Sequence, residues 1–215
     1  MRAFLERSNR LLEVPLDLAP RLCLVGSAVL LVAALSQPLW NLTMFAPQYN
    51  EGLRLDIYAQ RLQGGNGGQD LKEINLLNHY IGMRDLVDED FTEFKWMPFA
   101  IGVLALLFLR SAAHGTMAAL IDSVVLFGYF GLFSLWSFGY KLYLYGHELA
   151  PTAPVKVPPF TPPIFGYQKL ANFEVYSYPA AGSYLMAGVA LLACLALFLT
   201  WRGARRKARP TVAAA

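Results

Sequence analysis

The stretch "MAALIDSVVLFGYFGLFSLWSFGY", residues 117 to 140, decides the fold class. Asp122 is its one charged side chain. A run of ~20 predominantly apolar residues is long enough to cross a bilayer as a helix. A helix is the form such a run must take, because no water in the bilayer core can satisfy its backbone.

Three further runs extend outward from it. They are "LCLVGSAVLLVAALSQPLW" at 22 to 40, "WMPFAIGVLALLFL" from Trp96, and "YLMAGVALLACLALFLTW" at 184 to 201. The second reaches Ala113 if the Arg110 stem lies along apolar surface. The composition agrees: 56% of residues are apolar and 15% are charged, against roughly 25% charged in soluble domains. The expected fold is therefore an all-α membrane protein with four transmembrane helices, at 21–40, 96–113, 116–140 and 184–201. The first run has a second reading as a cleaved signal peptide, but it lacks an Ala-x-Ala ending. Cys23 and Cys194 lie inside apolar runs and read as small hydrophobes.

Short basic flanks mark the cytoplasmic side. The amino-terminal flank carries Arg2, Arg7, Arg10 and Arg21, the carboxyl-terminal flank reads "RGARRKAR", and the link between the second and third runs carries Arg110 and His114. Residues 41–95 carry nine acidic and five basic side chains, a net −4. Both termini are thus expected inside, with 41–95 and 141–183 as two extracytoplasmic loops forming a small α+β cap. Trp40, Trp96, Trp136, Tyr140, Tyr143 and Tyr145 then form an outer aromatic belt, and Trp201 marks the inner interface. Residues 1–20 read as a cytoplasmic tail, amphipathic through Phe4, Leu5, Leu11 and Leu12, with a solvated tail as the alternative. Residues 202–215 form a basic tail whose end is expected to be disordered.

Within the first loop, Leu53, Leu55 and Ile57 alternate with Arg54, Asp56 and Tyr58, a strand pattern. "GGNGG" at 64–68 reads as a turn. Asp70 and Glu73 have capping-box spacing and open a short helix over about 71–81, with Ile74, Leu77 and Ile81 as its apolar stripe and Gly82 as its stop. In the second loop, six prolines between 151 and 163 exclude a helix and predict a stiff arm laid over the first loop. "LANFEVYSY" reads as a strand that pairs with "GLRLDIYA".

The phrases "APQYNEGLRLDIYA", "EINLLNHYIGM" and "APVKVPPFTPPIFG…LANFEVYSY" resemble a poorly characterised family of four-helix bacterial membrane proteins. That family is associated with nitrous oxide reductase gene clusters and copper-enzyme maturation. The resemblance covers both outer loops, and the helices match only in number. It implies a context of denitrification, respiration and copper in the bacterial inner membrane. It supplies no residue roles.

His79 and Met83, four apart, share a helix face, and imidazole and thioether are both copper ligands. Met44 is a candidate third donor. The competing reading is a hydrogen-bonded histidine and a packed methionine, with Gly82 breaking the helix between them. Arm residues Pro158, Pro159, Phe160, Pro162 and Pro163, with Asn78 and Tyr80, form the expected partner-docking surface. His147 and Glu148 read as an interfacial cap or salt-bridge pair. Asp122 reads as a structural ion pair with Arg110, since an intramembrane carboxylate is costly without a partner. Gly128, Gly131, Ser134 and Ser137 read as a close-packing stripe inside the bundle.

No nucleophile–base pairing, phosphate loop or zincin motif supports an enzyme, and the basic residues are membrane flanks, not a nucleic-acid surface. The leading expectation is an accessory membrane protein that presents a docking surface to a periplasmic or membrane respiratory copper enzyme, for assembly, copper delivery or electron supply. The alternatives are a copper-binding membrane protein using His79 and Met83, and a structural subunit of a respiratory complex.

Overall fold

The computed structural model describes residues 12–170 and 173–207, with no side-chain description of Leu170 and Lys207. The amphipathic tail through Leu11 and the end of the basic tail lie outside these residues. Four main helices run over Leu18–Ala34 (α1), Glu93–His114 (α3), Met117–His147 (α4) and Ala181–Lys207 (α5). A shorter α2 covers Gln69–Ile81. Five strands cover Trp40–Ala46 (β1), Tyr49–Ile57 (β2), Leu62–Gly64 (β3), Gly166–Leu170 (β4) and Phe173–Pro179 (β5). Short 3-10 turns sit at Asn66–Gly68 and Asp88–Asp90.

Three of these helices, α3, α4 and α5, are long and apolar enough to cross a membrane. The first helix is shorter than expected. It has 17 residues and ends at Ala34, not at Trp40. Pro38 disfavours helical backbone at Gln37. The Ser36 hydroxyl donates to the Ala33 carbonyl at 2.8 Å and closes the last turn. Trp40 opens β1 instead of ending a helix. The third helix runs past Tyr140 to His147, so the second loop begins later than expected.

The chain forms two compact units. A helical unit comprises the described residues of Met1–Val32, Ala100–Phe130 and Leu185–Ala215. Its core holds Leu24, Leu31, Ile101, Phe108, Leu120 and Val189. Phe108 meets Phe127 edge-on at 6.1 Å. Ser111 and Ser123, both buried, join hydroxyls at 2.7 Å between α3 and α4. The α3–α4 link is tied down by the segment before α1. Leu16 N–H donates to the Gly115 carbonyl at 2.7 Å, and Met117 N–H donates to the Val14 carbonyl at 2.9 Å. The Arg21 guanidinium donates to the Ala113 carbonyl at 3.3 Å, placing a cation at the negative end of α3.

One expectation fails in the helices, and a second holds only in part. Asp122 and Arg110 are both exposed, and no ion pair joins them among the described residues. An arginine stem is free to extend away from an acid on the neighbouring helix, which separates the two. The small-residue stripe on α4 does not close against a neighbour at Gly128 or Gly131, where an added Cβ meets nothing within 4 Å.

The second unit comprises Ala33–Phe99 and Gly131–Tyr184. Its antiparallel sheet has the order β3-β2-β1-β5-β4. The expected pairing of "LANFEVYSY" with "GLRLDIYA" is corrected: β1 lies between them and bonds to both. The expectation failed because "WNLTMFA" was counted with the first helix and the chain after it. Alternating side chains put Leu42, Met44, Leu53, Leu55 and Val175 on one face, with Met44 opposite both Leu53 and Val175. Ile74 and Leu77 of α2 pack on that face and complete a core with Leu53, Leu55 and Leu62.

The turn into α2 differs from a capping box. Gly68, in left-handed conformation, is the N-cap, and no side chain caps the helix. Asp70 lies inside the first turn, buried, and accepts from Arg54 N–H at 2.9 Å and from the Asn66 amide at 2.8 Å. It fastens the turn to β2 rather than to its own helix.

Candidate functional site

The sheet unit encloses an apolar cavity of about 430 Å³. That volume is in the range of small-molecule sites. Four sources build it. The sheet face contributes Leu42, Met44, Leu55 and Val175. The α2 residues Ile74, Leu77, Asn78 and Ile81 line a second wall, at the i, i+3, i+4, i+7 spacing of one helix face. Phe138, Leu142 and Tyr145 of α4 form a third, and Val157, Pro158, Phe160 and Pro162 of the proline arm close the fourth.

The arm is held by backbone. Val155 N–H donates to the Tyr80 carbonyl at 3.0 Å, Ala150 N–H to the Gly82 carbonyl at 2.8 Å, and Phe160 N–H to the Gly146 carbonyl at 3.0 Å. Two glycines permit this approach. Gly82 has φ +80°, and a Cβ there lies 2.9 Å from the Ala150 carbonyl oxygen. A Cβ at Gly146 overlaps the Phe160 carbonyl oxygen. Both contacts are backbone, so a side chain at either position displaces the arm. The prolines keep the arm extended at little entropic cost. The expectation that the arm lies over the first loop agrees with these bonds.

Gly82 also sets the direction of the chain leaving α2. Gly82 N–H donates to the His79 carbonyl at 3.2 Å, and Met83 N–H to the Asn78 carbonyl at 2.9 Å. This is a Schellman end. It brings Met83 onto the cavity wall with Leu77.

Beyond Met83, the Asn75 side chain holds the returning chain. Its oxygen accepts from Leu86 N–H at 2.8 Å and its nitrogen donates to the Leu86 carbonyl at 3.2 Å. Lys141 lies on the wall with its ammonium engaged. It donates to the Asp90 carbonyl at 2.6 Å, sits 3.9 Å from the Glu93 carboxylate and lies 5.5 Å from the Phe91 ring centre.

One buried polar group on the wall has no partner. Asn78 is 2% exposed, and its side-chain nitrogen is buried without a hydrogen bond. The expected docking residues thus separate. Asn78, Pro158, Phe160 and Pro162 line the cavity, while Pro159 and Tyr80 are exposed and Pro163 is half-buried. The signal for Asn78 was legible: it occupies the apolar stripe beside Leu77.

The candidate metal donors also separate. Met44 and Met83 line one cavity, while His79 is exposed and is not on its wall. No cluster of three His, Cys, Asp or Glu side chains occurs among the described residues. Two thioethers on one wall suit a soft ion such as Cu(I), but the imidazole is not gathered with them. His147 Nδ1–H donates to the Tyr143 carbonyl at 3.0 Å, and the imidazole stacks on the Tyr143 ring at 3.9 Å. Glu148 pairs with Arg84, both well exposed.

A carboxylate–phenol contact carries charge on this unit. The Tyr49 hydroxyl donates to Glu73. That bond, with a second from Gln69, lowers the Glu73 pKa from its ordinary value, and the same bond raises that of Tyr49. No protein-family model matches this chain, and no curated protein sequence matches it.

Proposed function

We propose that the protein is a non-enzymatic accessory membrane protein that docks a partner protein through its sheet unit. In this reading the chain crosses the bilayer four times, with both termini on the cytoplasmic side and the sheet unit as an extracytoplasmic cap. A helix of 17 residues spans ~26 Å, and a short helix is accommodated by local thinning of the bilayer. The basic flanks favour an even number of crossings.

The observation that carries the docking role is a set of exposed aromatic side chains on the β4–β5 hairpin. Phe165 is 66% exposed, Tyr167 50% and Tyr178 43%. Phe165 and Tyr178 stack edge-on at 5.3 Å, and Tyr167 leans on Tyr176 at 4.9 Å. Preformed aromatic pairs of this kind are typical anchors of protein interfaces. The resemblance in the loops supports a respiratory copper enzyme or its assembly machinery as the partner.

The test is co-purification from native membranes of wild type and of a Phe165→Ser, Tyr167→Ser variant. Loss of the partner from the variant alone supports docking. The same partners in both preparations remove it. Cytosolic behaviour of a reporter fused at Gly67 removes the four-crossing topology.

A second reading is favoured by Met44 and Met83 sharing one wall: the chain itself binds Cu(I), with His79 as a further donor. Equal Cu(I) stoichiometry in wild type, Met44→Leu, Met83→Leu and His79→Ala forms sinks it.

A further inference from the structure

We infer that the cavity of the sheet unit binds a lipid-phase molecule with an apolar body and one carbonyl oxygen, the oxygen accepting from the Asn78 side chain. The primary candidate is one acyl chain of a membrane lipid with its ester carbonyl. This proposal is independent of partner docking and of copper.

Three observations converge on it. The first is the contrast between the apolar side chains of the wall and its one buried polar group without a partner; Lys169, also on the wall, is exposed. Leu42, Leu77, Ile81, Leu142 and Phe160 offer no hydrogen-bonding side chain, whereas the Asn78 amide is buried and unpaired. An unsatisfied buried donor costs on the order of 1–3 kcal/mol. Water is a poor remedy, since an ordered water needs 2–4 polar partners. The neighbouring Lys141 ammonium is already engaged. A single acceptor at the end of an apolar body satisfies the site without stranding further polar groups.

The second observation is size. About 430 Å³ suits one chain or a small ring system rather than a whole phospholipid.

The third is access from lipid. Phe138, Leu142 and Tyr145 belong to the last turns of α4, which has 31 residues. Such a helix is ~46 Å long against a hydrocarbon core of ~30 Å. With the rest of α4 in the bilayer, these turns fall at headgroup level, where ester carbonyls reside. Trp136 and Tyr140, stacked at 5.6 Å and exposed, precede them on the same helix and suit that interface.

The experiment uses the full chain in detergent with a diazirine analogue of methyl palmitate as photoprobe. Labelled peptides are mapped by mass spectrometry, and labelling is competed with methyl laurate, decyl-benzoquinone or dodecane at equal micellar mole fraction. The expected labels fall within 69–86 and 155–165. Methyl laurate should compete about fivefold better than dodecane, the worth of one net hydrogen bond. Asn78→Leu should erase that difference while dodecane still competes. Asn78→Ala, which removes the amide without adding a donor, provides a second variant if the first does not fold. Stronger competition by decyl-benzoquinone than by methyl laurate upholds the carbonyl site and assigns its source to quinones. Labels elsewhere, equal competition by dodecane and both carbonyl compounds in wild type, or a difference that survives in the folded variants overturns the proposal.

Discussion

The helical unit and the sheet unit obtain their order by different means. In the helical unit each helix satisfies its own backbone, and sparse contacts such as Ser111–Ser123 at 2.7 Å join neighbours. In the sheet unit local hairpins are joined by distant pairings. The central strand β1 pairs with β2 from its own loop and with β5 from more than 120 residues away. The arm adds two backbone bonds to the first loop, Val155 to Tyr80 and Ala150 to Gly82, each between residues far apart in the chain. The lesson is that apolar length alone specifies the first kind of order, whereas the second depends on particular residues at close approaches.

This contrast is open to attack, most strongly through the sheet core. Leu55 is buried between Leu42 and α2, and Leu55→Ala should cost about 2–5 kcal/mol. Hydrogen exchange should show lost protection over 40–81 and 166–179, with protection in 101–112 and 185–200 retained. Equal loss in both sets erases the division. Next comes the arm. Gly146→Ala forces the Phe160 carbonyl aside and should cost roughly 1–3 kcal/mol. The readout is trypsin cleavage at Lys156, faster than in wild type.

In the helical unit, the Ser111 hydroxyl bonds both Ser123 and the Ala119 carbonyl. A Ser111→Ala, Ser123→Ala double-mutant cycle should give a coupling of about 0.6 kcal/mol, the typical size in a membrane bundle. Thermal unfolding in detergent checks it.

The smallest effect is electrostatic. The folded-state pKa of Glu73 lies below its ordinary value because of the Tyr49 and Gln69 bonds. Its contribution is therefore present above the unfolded carboxyl pKa, ~4.3, and is lost as pH falls through the lower folded value. Tyr49→Phe should move the Glu73 titration, followed by carboxyl NMR, back up and narrow the pH range of that loss.

The legibility of the sequence divides along the same boundary. The three long helices were visible as apolar runs, because each is long and apolar enough to cross a bilayer. The β2 alternation and the α2 stripe were visible for the same reason of periodicity. The end of α1 was misread, although Pro38 signalled it, because apolar content continues through Leu39 and Trp40 without a helix. The place of β1 between β2 and β5 was not readable, since pairing depends on register between distant segments. The cavity is a product of those pairings, so the α2 stripe placed Asn78 beside Leu77 without showing the space it lines. Asp122 and Arg110 show the limit of proximity arguments: adjacent helices bring backbones together, while long side chains choose their own direction.

The strand order has a consequence for synthesis. The β1–β2–β3 meander can pair as soon as residue 64 is made, but one flank of β1 lacks its neighbour until β5 emerges after two further apolar helices. At ~5–20 residues per second, that ribbon waits on the order of ten seconds with bare amides and carbonyls along one side. A newborn chain must be shielded over this interval, and completion of the sheet is a built-in signal that the preceding helices have been delivered.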